Sequence, residues 1–139
     1  MQINEILKTE AAKRSFLVGL VFLSKADGVV DESEKTFFLN AAASLKLSEE
    51  SVNEIDSCWT KDVMPELVFN SKREKLFFLV QAVQLCNVDS VYCEEEKQFV
   101  NKIALDLGVT DDSVEEIEAW VKVGMEWQSE GDKLLELEV

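Results

Sequence analysis

The 40 residues FLVGLVFLSKADGVVDESEKTFFLNAAASLKLSEESVNEI, Phe16 to Ile55, return 62 positions later as FLVQAVQLCNVDSVYCEEEKQFVNKIALDLGVTDDSVEEI, Phe78 to Ile117. The two stretches align without a gap, and 17 of the 40 pairs are identical. A match of that length reads as an internal repeat, so the two halves are expected to build the same unit. Asp27 pairs with Asp89, Glu32 with Glu94, Glu34 with Glu96, Lys35 with Lys97 and Phe37 with Phe99.

Each unit reads as three helices. The first helix of the first unit runs from about Thr9 to Ala26, and its SFLVGLVFL segment is apolar nearly all round, as is LFFLVQAVQL in the second unit. Helices without a polar face belong in the middle of a bundle. The second helices begin near Asp31 and near Cys93. Their apolar stripes, Phe37, Phe38, Ala41, Ala42, Leu45 and Phe99, Val100, Ile103, Ala104, Leu107, recur at helical spacing and are expected to face inward. The third helices start at the N-cap residues Ser48 and Thr110, with acids in the next turn, and turn Val52, Ile55, Trp59 and Val114, Ile117, Val121 inward.

The chain therefore reads as all-α: one domain over residues 1–139, a bundle of two pseudo-repeated three-helix units at about 9–59 and 71–127, with a tail at 128–139. Between the units, Pro65 is expected to open a short helix stopped by Asn70 and Ser71, and Ser71 with Glu74 has the form of a capping box. In the tail, QSEGDKLLELEV, Gly131 predicts a break before a short amphipathic end that docks on the bundle, packs in a dimer or frays, docking being the expectation.

Composition agrees with a helical domain. The hydrophobic fraction of 47% argues against disorder, and one proline with five glycines disfavours a turn-rich sandwich. No apolar run approaches the ~20 residues that span a bilayer. The opening MQINEILKTEAAKR lacks the apolar segment of a signal peptide, which predicts a cytoplasmic protein without membrane insertion. With 28 acidic and 14 basic residues the net charge is −14. Such a surface repels nucleic acid and anionic lipid and attracts cations or basic partners.

Histidine is absent, which removes the usual general base near neutral pH and the imidazole metal ligand. There is no glycine-rich phosphate loop and no nucleophile beside a base, so the chain reads as a non-enzyme. Cys58, Cys86 and Cys93 form no CxxC pair and are expected to be reduced thiols rather than a disulfide framework or zinc site. Cys93, at an expected helix start, is placed where a thiol pKa can fall.

The bend KADGVVDESE, Lys25 to Glu34, resembles the back half of a calcium loop. Asp27, Gly28, Val30, Asp31 and Glu34 match its positions 5, 6, 8, 9 and 12, but Leu23 and Lys25 stand where the first ligands belong. Two readings compete. Gly28 can end one helix in a left-handed conformation, and Asp31 with Glu34 can cap the next, with no ion involved. Alternatively Asp27, Asp31 and Glu34, and in the second unit Asp89 and Glu96, hold a divalent cation such as calcium, with water completing the shell. Capping by Asp31 and Glu34 leaves Asp27 and Asp89 unexplained, because a carboxylate in the last turn of a helix opposes its dipole. Asp27 is expected either to accept backbone N–H bonds from the start of the next helix or to meet a cation beside Asp31 and Glu34.

An apolar helix ending in ADGxVDxxE, an amphipathic helix, a short break and LSxExV together resemble the TerB or tellurite-resistance-like domains. The same pattern is similar to the N-terminal domain of the DjlA co-chaperone. The resemblance runs from about Ala12 to Trp127. The first unit fits through Ala26, Asp27, Gly28, Val30, Asp31 and Glu34, whereas the second departs at Ser90 and Cys93. It implies an all-α domain of about seven helices, a non-enzymatic scaffold or sensor in bacterial stress responses including tellurite resistance, and divalent-cation binding. A co-chaperone role is disfavoured, since this chain carries neither a membrane anchor nor an HPD-containing J segment.

A different functional reading starts from Trp120, Val123, Met125, Trp127, Leu134, Leu135 and Leu137, a surplus of large apolar residues late in the chain. They suit a protein-interaction module or homodimer without ion chemistry, binding an unidentified protein partner.

Overall fold

The structure is a computed structural model that describes residues 3–26, 28, 30–88 and 93–136. Most of the described residues are helical, and none of them is in a strand. Seven α-helices follow in order among them: α1 (Ile3–Ile6), α2 (Glu10–Lys25), α3 (Glu32–Ser44), α4 (Glu49–Ser57), α5 (Lys72–Val88), α6 (Glu94–Asp106) and α7 (Asp111–Glu136), with a 3₁₀ turn at Cys58–Thr60. No helix among the described residues is long and apolar enough to cross a membrane.

Helix boundaries follow local chemistry. Thr9 Oγ1 accepts the Ala12 amide at 3.1 Å, Ser48 Oγ accepts that of Ser51 at 3.2 Å, and Thr110 Oγ1 accepts that of Ser113 at 3.2 Å. Each hydroxyl satisfies one amide that the helix itself leaves without a partner. At the other ends, Lys46 and Gly108 adopt positive φ (58° and 76°). The next amides, Leu47 and Val109, reach back to the carbonyls of Ala42 and Ala104 at 3.2 and 2.8 Å. This is the hydrogen bond of a Schellman stop. The starts of α2, α3 and α4, at residues 10, 32 and 49, and those of α5, α6 and α7, at 72, 94 and 111, are separated by the same 62 positions as the sequence alignment.

The core is centred on α2. Every residue from Phe16 to Leu23 is buried, and this helix meets α3, α4, the 3₁₀ turn, α5 and α6. Phe78, on α5, is completely buried. Its ring lies 6.0 Å from Phe16, edge to face, and 5.6 Å from Phe69. Arg14 ties α2 to α4, with its guanidinium 3.4 Å from Glu54 and 3.2 Å from the buried Ser51 hydroxyl.

Three expectations are corrected. Pro65 opens no helix: residues 61–70 are irregular. The Val68 amide donates to the buried Ser15 hydroxyl at 2.8 Å, and Met64, Leu67 and Phe69 pack on the core. Partners on α2 thus take the place of a helical ladder, and a residue before proline is already biased toward extended backbone. Glu74 does fold back on the start of α5, but it accepts the amide of Asn70, at 2.5 Å, while its own amide donates to Ser71 Oγ at 3.2 Å.

Gly131 does not break α7, and residues 132–136 are exposed rather than docked on the bundle. The helix continues to Glu136 with Leu134 and Leu135 exposed. A single glycine costs a helix only ~1 kcal/mol relative to alanine, and without a Schellman closure it stops nothing. Finally, Phe37 is 61% exposed, while its neighbour Phe38 is buried against Trp59 at 5.6 Å. Two adjacent residues point about 100° apart on a helix, so only one of them can face the core.

Candidate functional site

The first bend joins α2 to α3. Gly28 sits at φ 82° and its amide donates to the Lys25 carbonyl at 2.9 Å. Asp31 is the N-cap of α3: its Oδ1 accepts the Glu34 amide at 3.0 Å and also the Ser33 hydroxyl. The Ser33 hydrogen bond, helped by the Glu34 amide, holds the Asp31 carboxyl below its ordinary pKa. One carboxylate oxygen of Glu34 is closed off from solvent. Lys25 reaches across the bend, donating to the carbonyls of Cys58, at 2.7 Å, and of Lys61, with its ammonium 4.2 Å above the Phe22 ring.

At the second bend, Cys93 is the N-cap of α6 and its amide donates to Glu96 Oε1 at 3.2 Å. A hydrogen bond to the Glu96 side chain is the main reason that the Cys93 pKa is raised. The expectation of a lowered thiol pKa is therefore corrected, because a carboxylate three residues on outweighs the helix start. Cys86 is raised further, chiefly by burial and then by the same Glu96, and burial also raises Cys58. All three cysteines are free.

Of the five acids expected to meet a cation, Asp31 and Glu34 are brought together at the first bend and Glu96 stands at the matching point of the second. Asp27 and Asp89 lie outside the described residues. Among the described residues, no group of three or more Cys, Asp or Glu side chains could hold a metal ion.

Because the folded-state pKa of Asp31 is depressed, its contribution to stability is present above the unfolded value, near 3.8, and is lost as pH falls through the folded value. Acid unfolding followed by circular dichroism is expected to show a shallower loss below pH ~4 in Asp31→Asn than in the parent, with the two converging at lower pH. Parallel acid limbs would mean that the carboxylate is not held by Ser33 and Glu34.

A second site was not legible as such in the sequence. Between α5 and α7 runs an apolar groove made of two adjoining cavities that share Gln84 and Trp120. The first, of about 790 Å³, is lined by Ile6, Leu76, Phe77 and Val80 with Lys72 and Arg73 at one end. The second, of about 700 Å³, is lined by Asn87, Val121, Gly124, Met125 and Trp127. Trp120 is 62% exposed and Trp127 is 77% exposed, so both lie outside the core, while Trp59 is inside it. Beyond Val121 the side of α7 carrying Val123, Trp127, Leu134 and Leu135 is bare.

One sequence signal does mark the groove. Where α2 has Gly19, Phe22 and Lys25, the aligned positions of α5 are Gln81, Gln84 and Asn87. These amides, three apart, interrupt the apolar run on the face that α5 turns toward the groove.

No protein-family model, no curated protein and no solved structure matches this chain.

Proposed function

We propose that the chain is a non-enzymatic, TerB-like helical module that works in the bacterial cytoplasm as a stress-response scaffold, docking a protein partner through the α5–α7 groove. The observation that carries the docking role is the bare apolar face of Trp120, Val123, Trp127, Leu134 and Leu135 beside two apolar cavities. Monomeric surfaces seldom carry a continuous apolar patch of this kind unless something binds it. The resemblance is supported by the all-helical architecture and by the repeated order of long apolar, amphipathic and acid-capped helices.

The test is site-specific photocrosslinking in extract of the native host. A photoreactive residue at Val123 is expected to give a discrete adduct, and one at Lys13, on a different helix, is expected to give none. Equal yields from both positions, or none from Val123, would remove the docking role.

A second reading is weak divalent-cation binding at the bends, favoured by the recurrence of an aspartate at matching positions of the two repeats, Asp27 and Asp89, which capping by Asp31 and Glu34 does not explain. Calorimetric titration with calcium is expected to show affinity on the order of millimolar, lost in an Asp27→Asn, Asp89→Asn double variant. Identical heats from both proteins would exclude it.

A further inference from the structure

The groove differs in charge along its two walls. Helix α7 carries nine acidic and only two basic residues, Lys122 and Lys133. On a helix, residues three, four and seven apart share a side. Trp120, Val123, Gly124, Trp127, Gly131, Leu134 and Leu135 therefore form one stripe, edged by Glu116 and Glu130 on one side and by Asp132 on the other. The α5 wall is different: Gln81, Gln84 and Asn87 are neutral, and Lys72 with Arg73 stands only at the end nearest Ile6.

The stripe also outruns the bundle. Groove-lining residues on α7 reach Gln128, and residues 129–136, exposed except for the half-buried Gly131, continue for about two more turns. Gly124 and Gly131, one heptad apart, have nothing within 4 Å of where a Cβ would stand. They leave the backbone of α7 uncovered beside the two indoles.

We propose that the α5–α7 groove receives a basic amphipathic helix of a partner protein. Its leucine-type face lies on Val80, Trp120, Trp127 and the bare backbone at Gly124. Its Lys and Arg side chains meet Glu116, Glu130 and Asp132. Its C-terminal end, which carries the negative end of the helix dipole, lies toward Lys72. A second copy of this chain fits the same groove less well. Pairing α7 with α7 would bring two strongly acidic helices together inside proteins that each carry −14, and like charges across an interface are costly. The inference rests on the docking role proposed above and names the chemistry of the partner.

Three synthetic peptides of about 18 residues, ~27 Å as helices, provide the test, added to the full chain and followed by tryptophan fluorescence. One is an amphipathic Leu–Lys helix, one is its Leu–Glu counterpart, and one has the Leu–Lys composition in scrambled order. The ordered basic peptide is expected to bind one to one with a blue shift, and to weaken at least about tenfold in Trp120→Ala. Charge reversal by Glu116→Lys with Glu130→Lys, at two exposed positions, is expected to weaken it and to favour the Leu–Glu peptide.

Equal binding of the Leu–Glu or scrambled peptide would overturn the inference, as would a Leu–Lys affinity unchanged by Trp120→Ala in a protein of parental helicity. Absence of peptide binding alongside a Val123-specific crosslink, or a Trp127-dependent homodimer in sedimentation, would overturn the basic-helix partner and leave the docking role standing. Absence of both peptide binding and crosslink would end both.

Discussion

Phe78→Ala is expected to lower the folding stability of the protein by about 3–5 kcal/mol, the range for removing a fully buried aromatic side chain. Phe78, on α5, touches both α2 and the connection between the units. It meets Phe16 of α2 edge to face, Phe69 of the irregular segment at 5.6 Å, and the backbone of α2 at Gly19. Its loss empties a space walled by three elements that cannot all move in at once, so the transfer term is joined by a cavity term. Urea denaturation followed by circular dichroism checks this. A midpoint close to that of the parent would mean that α2 and α5 are not joined through this ring.

The second large effect comes from the other side of the same contact. A Cβ at Gly19 would lie 2.5 Å from Phe78 Cζ and 2.6 Å from Cε1, with Leu67 Cδ1 at 3.2 Å. A valine there is expected to cost about 1–3 kcal/mol, toward the upper end, since the ring it meets is enclosed and has nowhere to swing. Helix propensity works the other way, because glycine is the poorer helix former, so a destabilised Gly19→Val isolates the packing conflict. The sharper measurement is a double-mutant cycle. Phe78→Leu shortens the blocking group, and Gly19→Val is expected to cost markedly less in that background. Additive costs would show that the two residues do not meet.

These two residues also show how the units divide their labour. Gly19 aligns with Gln81, and the difference has a physical result on each helix. On α2 the missing side chain lets Phe78 come against the backbone. On α5 the amide turns outward and lines the groove beside Trp120. The first central helix is thereby sealed on every side, and the second keeps one open face.

Local chemistry was legible in the residues alone. Thr9, Asp31, Ser48 and Thr110 mark helix starts because a short polar side chain satisfies an amide three residues ahead, whatever the rest of the chain does. Gly28 and Gly108 mark stops because they accept positive φ at no steric cost. The apolar run of Phe16 to Leu23 identifies a buried helix, since no polar face remains to meet water. The pairing of Asp31 with Glu34 is of the same kind, a contact that spans three residues.

Which surface each helix turns to which neighbour was decided by partners far away in the chain. The Val68 amide finds Ser15, 53 residues earlier, and that contact replaces the expected helix after Pro65. Phe37 and Phe38 compete for one place in the core, and the position of Trp59 awards it to Phe38. The groove that Trp120 and Trp127 overlook exists only because α5 and α7, distant in the chain, pack side by side. Hydrogen-bond capping acts over three or four residues, so one sequence determines it. Burial is a property of the whole packed assembly, and only the tertiary structure assigns it.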